Sequence, residues 1–217
     1  LAPLLSAEDA RREKIEELIE HLDNKKDEAL EVSFRSIQKM FALVFKELIP
    51  EGSGSLKLIL KHTLDAGADA RTRVANFVGV GIRVKFPGGS EATSMSQLSG
   101  GQKTMVALCL IFAIQRCDPA PFYIFDEIDA ALDASHRAAL AKMVQRQASK
   151  VDDDGNAKEP TQFITTTFRP ELIRASDKCY GVTHARKAST IRAIAEEEAL
   201  RIIAEDTSRQ RQHIGVA

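Results

Sequence analysis

The fold class of this chain is indicated most clearly by the stretch Phe122-Tyr123-Ile124-Phe125-Asp126-Glu127. Its first four residues are apolar or aromatic without alternation, a pattern that predicts a central parallel strand covered on both faces. In open α/β sheets, ligands bind at the carboxyl ends of the strands, which is where the two acids lie. Asp126 can hold Mg²⁺, directly or through water, because this ion prefers hard oxygen ligands and is usually shared with phosphates. Glu127 can orient and help to deprotonate a water that attacks a phosphoryl group.

A second stretch, Leu98-Ser99-Gly100-Gly101-Gln102, precedes this strand. Its two glycines lie just before a predicted helix at about 102–115, which is apolar on every side and is therefore expected to be wholly buried. Unobstructed backbone N–H groups, the helix dipole and the Ser99 hydroxyl together form an anion site suited to a terminal phosphate. Ser-Gly-Gly alone is equally compatible with a flexible turn. Its position ahead of a strand that ends in Asp-Glu favours the phosphate site.

Strands and helices alternate along the rest of the chain. The pattern predicts strands at 56–60, 80–86, 161–166, 179–183 and 190–193, helices at about 134–148 and 195–205, and loops at 65–69 and 152–155. This order is typical of an α/β fold with a mainly parallel sheet.

A long helix is predicted ahead of this lobe, from about residue 7 to residue 48, with Ser6 as its N-cap. Its apolar residues recur every three or four positions, and at 1.5 Å per residue it forms a rod of roughly 60 Å. A narrow apolar stripe on a projecting rod requires a partner helix. The alternative is an ordinary surface helix with a solvated charged face. We therefore divide the chain into a coiled-coil or neck helix, 1–48, and a globular lobe, 49–217.

The composition narrows the classes of function. A formal net charge of -1 gives no global electrostatic reason for nucleic-acid binding, so any DNA contact must be local. The 3 cysteines lack the C-x-x-C spacing of a zinc or dithiol site, which favours a reducing compartment. The longest apolar run, 105–114, is too short to span a bilayer, and the N-terminus has no signal-peptide pattern. We therefore expect no membrane partner.

The two stretches resemble the motifs of a known family. Leu-Ser-Gly-Gly-Gln at 98–102 is identical to the signature motif of ABC-type ATPases, and 122–127 resembles their Walker B strand. Ala130-Ala131-Leu132-Asp133 resembles the D-loop that follows, which puts Asp133 at the position that faces a partner subunit. The joined run 126–133 is most similar to the structural-maintenance-of-chromosomes (SMC) ATPases, and the resemblance covers 15–193.

The resemblance implies an ABC-ATPase-like head lobe preceded by a long coiled-coil helix. In SMC proteins, the two halves of each head lie at opposite ends of the polypeptide, and an antiparallel coiled coil brings them together. A chain that begins with a rod and continues to the signature motif and Walker B is similar to the C-terminal half. Two further segments, 41–50 and 163–169, resemble one particular member of the family.

One motif of the family is absent from the sequence. A Walker A loop requires G-x-x-x-x-G-K-[ST], and the nearest string, Gly101-Gln102-Lys103-Thr104, has its lysine displaced by one position and lacks the other glycine. The chain is therefore not expected to bind ATP tightly by itself. The resemblance implies that an N-terminal lobe of the same protein supplies Walker A to the ATP and Mg²⁺ served by Asp126 and Glu127. It also implies that the signature motif reaches ATP held by a second SMC head.

The remaining expectations come from the resemblance alone. It implies a kleisin subunit near the neck, a location on chromosomes in the nucleus, and DNA contact through the assembled complex. At the switch position, where many ABC ATPases have a histidine that touches the γ-phosphate, this sequence has Thr167 or Thr166. One alternative is a head and neck scaffold whose main role is to bind a partner subunit, and another is the head of a different SMC-type ATPase. A transporter ATPase domain is disfavoured by the charged rod, the absent Walker A and the missing histidine.

Overall fold

A computed structural model describes residues 2–60, 77–149, 155, 160–185 and 187–214. The loop predicted at 65–69 lies outside these residues, as does all of the loop predicted at 152–155 except Gly155. The elements follow in the order α1 (Ala2–Leu48), β1 (Ser53–Leu60), β2 (Phe77–Lys85), β3 (Glu91–Ala92), α2 (Gly100–Cys117), β4 (Phe122–Asp126), α3 (Ala134–Ala148), β5 (Gln162–Thr166), α4 (Pro170–Arg174), β6 (Cys179–Ala185), β7 (Ala188–Ile194) and α5 (Glu196–Ile214).

The long helix α1 has the predicted end but an earlier start. It begins at Ala2, so Ser6 lies within the helix and the N-cap assigned to it is wrong. The helix ends before a turn in which the Gly52 N–H donates to the Ile49 carbonyl at 2.9 Å. A Cβ at Gly52 would lie 2.8 Å from the Phe45 ring, so only glycine lets the chain turn back this closely.

The core forms where the end of α1 meets α2 and β1. Phe41, Val44 and Phe45 are completely buried there, together with Phe112 of α2. Aromatic and aliphatic side chains of this size supply most of the hydrophobic free energy of folding. A bidentate ion pair adds a polar link, because Arg116 near the end of α2 donates to both carboxylate oxygens of Glu47 at 2.7 and 2.8 Å. The base of the rod is therefore part of the globular lobe.

The α/β class is confirmed. The prediction of a mainly parallel sheet is wrong, because most of the described strand pairs are antiparallel. Among the described residues, the parallel pair is β4 with β5, whereas β1–β2–β3 and β6–β7 pair antiparallel. The connections explain the difference: residues 186 and 187 join β6 to β7, and a parallel connection needs a dozen residues or more. Within the described parts of the chain, no helix is both long enough and apolar enough to cross a membrane.

The two faces of the β4–β5 pair differ sharply. On the inner face, Tyr123, Phe125 and Phe163 stack at 5.7–6.2 Å between ring centres, and Phe125 is 7% exposed. On the outer face, Phe122, Ile124 and Ile164 are 53%, 67% and 49% exposed. The strand predicted to be covered on both faces is thus covered on one.

The signature helix α2 shows the same contrast. Its buried side includes Met105, Leu108 and Phe112, whereas Ile111 and Ile114 are more than two-fifths exposed. The prediction of a wholly buried helix is therefore wrong. Apolar residues lie on both sides of the helix, as predicted, but no described residue covers the side that carries Ile111 and Ile114.

Candidate functional site

The two acids of the stretch that resembles Walker B lie at the carboxyl end of β4, next to the end of β5. Asp126 is the last residue of β4 and pairs in register with Thr166. The Thr166 hydroxyl donates to Asp126 Oδ1 at 2.5 Å and accepts from the Glu127 N–H at 3.1 Å. Both acids are exposed. Thr166 therefore holds the acidic turn, residues 126–129, in place while leaving the carboxylates of Asp126 and Glu127 accessible.

The backbone at Glu127 has an unusual conformation. Its φ of 46° lies in the left-handed region, which residues other than glycine rarely adopt. Such a conformation persists only where neighbours fix it, and it is frequent at functional sites. Here the Thr166 hydroxyl holds the Glu127 N–H, and the Ala130 N–H donates to the Glu127 carbonyl at 3.1 Å. The backbone of Glu127 is therefore held on both sides of its Cα, through its N–H and through its carbonyl.

The donors at this edge fit a magnesium ion that is shared with a nucleotide. Among the described residues, no group of three or more His, Cys, Asp and Glu side chains could hold a metal ion by itself. Asp126 is an exposed hard-oxygen ligand at the carboxyl end of the strand. Mg²⁺ is commonly bound by one or two carboxylates, with phosphates and water as its other ligands. The chain therefore offers part of a coordination shell.

The signature stretch forms the beginning of α2. Ser99 is the N-cap, and its hydroxyl accepts from the Gln102 N–H at 3.4 Å while Gln102 Oε1 accepts from the Ser99 N–H at 3.0 Å. This capping box fixes the first turn. Leu98 is buried and anchors the stretch to the core. A Cβ added at Gly100 would meet no heavy atom within 4 Å, so an anion can approach the first turn closely.

The D-loop stretch, 130–133, lies against the signature stretch. A Cβ added at Gly101 would be 3.0 Å from the Ala131 carbonyl oxygen, so the two backbones are nearly in contact. Leu132, the next residue of the D-loop stretch, is buried in the hydrophobic core. The structure thus brings together two motifs that are separated by the whole of α2 and β4. The predicted site residues form two neighbouring groups, the acids with Thr166 and the signature with the D-loop.

Asp133 has a role that the motif comparison missed. It is the N-cap of α3, where Oδ1 accepts from the His136 N–H at 2.9 Å and from the Ser135 hydroxyl at 2.7 Å. These hydrogen bonds, with His136 Nδ1 at 2.7 Å from Oδ2, lower the pKa of Asp133 to about 2. An aspartate immediately before a predicted helix start is a standard N-cap signal, so the sequence contained this information.

Asp129 is the second residue that sequence reasoning missed. Its carboxylate is fully buried and accepts from the Thr167 hydroxyl at 2.5 Å. The Thr167 oxygen in turn accepts from the Arg169 N–H at 2.9 Å. A buried carboxylate is costly unless it is hydrogen-bonded, and Thr167 supplies the bond. No local pattern distinguishes this acid, one of three between 126 and 129, as the buried one.

The two threonines at the switch position already have partners. A hydroxyl has one proton to donate. Thr166 donates to Asp126 and Thr167 donates to Asp129, so each proton is directed at a carboxylate of the acidic turn. A hydrogen bond from either residue to a γ-phosphate would require one of these bonds to break. Their contact with nucleotide remains a prediction.

An apolar strand that ends in Asp-Glu, with a Leu-Ser-Gly-Gly-Gln helix start beside the following D-loop, is the arrangement of an ABC-type ATPase head. The family model described as the RecF/RecN/SMC N terminal domain matches residues 4–191. The chain belongs to this family, and within it the chain is an SMC-type ATPase head region.

The relatives point to one branch of the family. The chain is 50% identical over 212 residues to structural maintenance of chromosomes protein 3 of Arabidopsis thaliana, and 43% identical over 199 residues to the protein of that name in Caenorhabditis elegans. These alignments cover 92% and 90% of this chain but 17% and 15% of the relatives. Segments 41–50 and 163–169, whose sequences resemble the SMC-three subunit of cohesin, indicate the same branch. The chain therefore spans about a sixth of the length of the curated relatives it matches.

Solved structures agree with the fold. An Smc head domain with a coiled coil and joint from Pyrococcus yayanosii has a TM-score of 0.72 at 30% identity, and the match covers 92% of this chain and 34% of that chain. An SMC ATPase studied for ATP-driven dimerization and DNA-stimulated activation has a TM-score of 0.66 at 29% identity, covering 83% and 97%. An Smc head from Pyrococcus furiosus, bound to the C-terminal domain of ScpA, has a TM-score of 0.67 at 29% identity, covering 92% and 44%.

Proposed function

We propose that this chain is the C-terminal lobe of an SMC head, a half-site ATPase that hydrolyses ATP only with an N-terminal lobe and a partner head. The observation that supports this proposal most strongly is that the chain contains Asp126, Glu127 and the signature helix but its sequence has no Walker A loop. In this proposal, residues 1–48 are the neck helix and 49–217 the ATPase lobe. Head engagement and release then serve cohesion and organisation of chromosomes in the nucleus.

The uncovered apolar surfaces support a missing N-terminal lobe. The outer face of the β4–β5 pair and the exposed side of α2 together expose five large aliphatic or aromatic side chains: Ile111, Ile114, Phe122, Ile124 and Ile164. Within the described residues, β5 pairs with β4 alone and β6 with β7 alone. A free strand edge beside an apolar face is suited to further strands. A lobe that brings Walker A would cover these surfaces.

In this proposal, two groups of residues in the chain contact two different ATP molecules. Asp126 would hold the Mg²⁺ of the ATP bound to the completed head, and this ion would neutralise charge on the phosphates. Glu127 orients a water and accepts its proton as the water oxygen attacks the γ-phosphorus and the bond to ADP breaks. Ser99 and the N–H groups of Gly100 and Gly101 contact the γ-phosphate of ATP held by the second head. ATP then joins the two heads, and its hydrolysis separates them.

The exposed part of α1 supports the proposal that further partners bind this helix. Ile15, Leu18, Ile19 and Leu22 are each more than half exposed and share one side of the helix. This stripe fits the antiparallel partner helix of an SMC coiled coil. A kleisin subunit near the neck is supported by the ScpA-bound heads among the similar structures. DNA contact would occur through the assembled complex.

The test is Glu127→Gln in the chain assembled with its N-terminal lobe and a partner head. Glutamine keeps the shape of the side chain but cannot accept a proton, so steady-state ATP hydrolysis should fall by about 10²–10⁴-fold. ATP-dependent association of the heads should persist, because the signature helix is untouched. Hydrolysis is measured by phosphate release and association by light scattering.

Glu91→Gln is the matched control, since Glu91 is an exposed carboxylate on β3, outside the site. It should leave both measurements unchanged. Full hydrolysis by Glu127→Gln would refute the assignment of Glu127. If wild-type chain binds a kleisin at the rod but the assembled heads hydrolyse no ATP, the second candidate, a head and neck scaffold, is the correct function.

A further inference from the structure

Arg137 connects the D-loop to a second helix. It lies in the first turns of α3, and its Nη1 donates to the Leu132 carbonyl at 2.7 Å. Its Nε donates to Glu171 Oε1 on α4 at 3.1 Å. The two charged side chains are only 17% and 18% exposed. One guanidinium group therefore joins the D-loop backbone, α3 and α4.

This arrangement is costly for stability alone. Removing two charges from water is repaid only when the geometry is good and the remaining lone pairs are satisfied. Glu171 Oε2 is buried, and no described residue gives it a hydrogen bond. A pair of apolar side chains would fill the same space without this cost. The pair is therefore better explained by what it positions than by what it stabilises.

The Leu132 carbonyl is a sensitive point for such positioning. On one side of it, the Ala131 carbonyl lies against Gly101 of the signature stretch. On the other side, Asp133 caps α3. The Leu132 N–H donates to the Asp129 carbonyl at 3.2 Å. Fixing the Leu132 peptide group therefore fixes the D-loop relative to both the signature helix and α3.

We propose that Arg137 and Glu171 form a clamp that holds the D-loop in the geometry required to meet a partner head. Both are positioning residues, since neither lies among the acids or the signature. This inference rests on the proposed function for its effect on hydrolysis, but not for the clamp itself. Glu171 lies on α4, four residues after Thr167, and Thr167 donates to Asp129, the residue before the D-loop. The segments on both sides of the D-loop are therefore bonded to the same part of the chain, through Asp129 and through Arg137.

The test uses the chain assembled with its N-terminal lobe and partner head, with the variants Arg137→Met and Arg137→Lys. The first measurement is amide hydrogen exchange of residues 130–133 without nucleotide. Loss of a hydrogen bond from a charged donor should accelerate this exchange by about 10–100-fold in Arg137→Met. Amides of β4 should not change. Arg137→Lys should give an intermediate rate, because lysine can donate to the carbonyl or the carboxylate but lacks the planar fork.

The second measurement is ATP hydrolysis as a function of ATP concentration. Arg137→Met should lower kcat by about tenfold or more, the effect of losing a charged hydrogen bond, with little change in KM, because nucleotide binding by the completed head does not involve the D-loop. Arg192→Met is the matched control: it removes the exposed ion pair between Arg192 and Glu198 near α5, and should alter neither measurement.

The outcomes separate the clamp from the proposed function. Unchanged exchange of the D-loop in Arg137→Met overturns the clamp, whatever the hydrolysis rate. Equal acceleration in β4 also overturns it, since Arg137 would then support the whole fold. Faster exchange confined to the D-loop with unchanged kcat refutes its role in hydrolysis. Absence of hydrolysis in the wild-type assembly contradicts the proposed function, while the exchange result still decides the clamp.

Discussion

The two faces of the β4–β5 pair carry similar side chains in opposite environments. Tyr123, Phe125 and Phe163 are packed under α2, whereas Phe122 and Ile124 on the other face are exposed. Side chains of alternate residues point to opposite faces of a strand, so a run of apolar residues is expected to be buried on both. This difference supports the proposal that the lobe is half of a layered structure, in which the inner face is stabilised within the chain and the outer face is covered by another polypeptide segment.

The largest effect is expected on the inner face. Phe112 is completely buried, with its ring 5.7 Å from Phe125 and 6.4 Å from Phe163. Phe112→Ala should lower the free energy of unfolding by about 3–5 kcal/mol, because it removes the burial energy of the ring and leaves a cavity. Denaturant unfolding of the chain joined to its N-terminal lobe measures the loss. A change below about 0.5 kcal/mol, the range of surface substitutions, would mean that this face is not a packed core.

The outer face should respond in the opposite way. Ile124→Ser should leave the free energy of unfolding of the lobe itself within about 0.5 kcal/mol, since the side chain is exposed there. It should weaken association with the N-terminal lobe by about 1.5–3 kcal/mol, the value of burying an isoleucine. Calorimetric titration of the two separately produced lobes measures the association.

Val32→Ser provides the control for this comparison. Val32 is as exposed as the outer-face residues but lies on the rod. Association with an N-terminal lobe that lacks its own coil should not depend on it. Equal binding by wild type and Ile124→Ser would mean that the outer face is not the contact between the lobes.

The contrast also explains which parts of the fold were predictable. The helix at 134–148 and the strand that begins at Phe122 follow from local pattern. The helix has the expected bounds, and the strand, expected at 122–125, extends one residue further to Asp126. The pairing of strands is a long-range property, and residue type alone did not show that β6 returns beside β7 rather than joining a parallel sheet. Burial of a face was also not predictable, because the sequence shows that a residue is apolar but not which polypeptide packs against it.

Within the site, the sequence identified the motif residues but not the contacts that hold them. Asp126 and the signature stretch were found by residue type and order. The bonds from Thr166 to Asp126 and from Thr167 to Asp129 join residues about forty positions apart, and no local pattern announces them. The Arg137 clamp depends likewise on the meeting of α3 and α4. Hydrogen-bond partners that are far apart in the sequence can be identified only from the three-dimensional structure.

The smallest of the expected free-energy losses is at Asp133. Its side chain is 63% exposed, about as much as Ile124, but its hydrogen-bond partners are within the chain. Asp133→Ala should therefore lower the free energy of unfolding of the lobe by about 1 kcal/mol, the usual cost of losing an N-cap. It should leave association of the lobes unchanged, the reverse of Ile124→Ser.

The pH dependence distinguishes the Asp133 carboxylate from a general surface effect. Folding lowers its pKa from 3.8 to about 2, so the ionised form is the one that the fold stabilises. A depressed pKa contributes stability that is fully present above the unfolded value and is lost as the pH falls through the folded value. The difference between wild type and Asp133→Ala should therefore be constant above about pH 5 and shrink towards pH 2. Asp133→Asn keeps an oxygen that can accept from the His136 N–H, so it should cost less than alanine. A difference that does not change between pH 5 and pH 2 would show that the charge of Asp133 is not part of the cap.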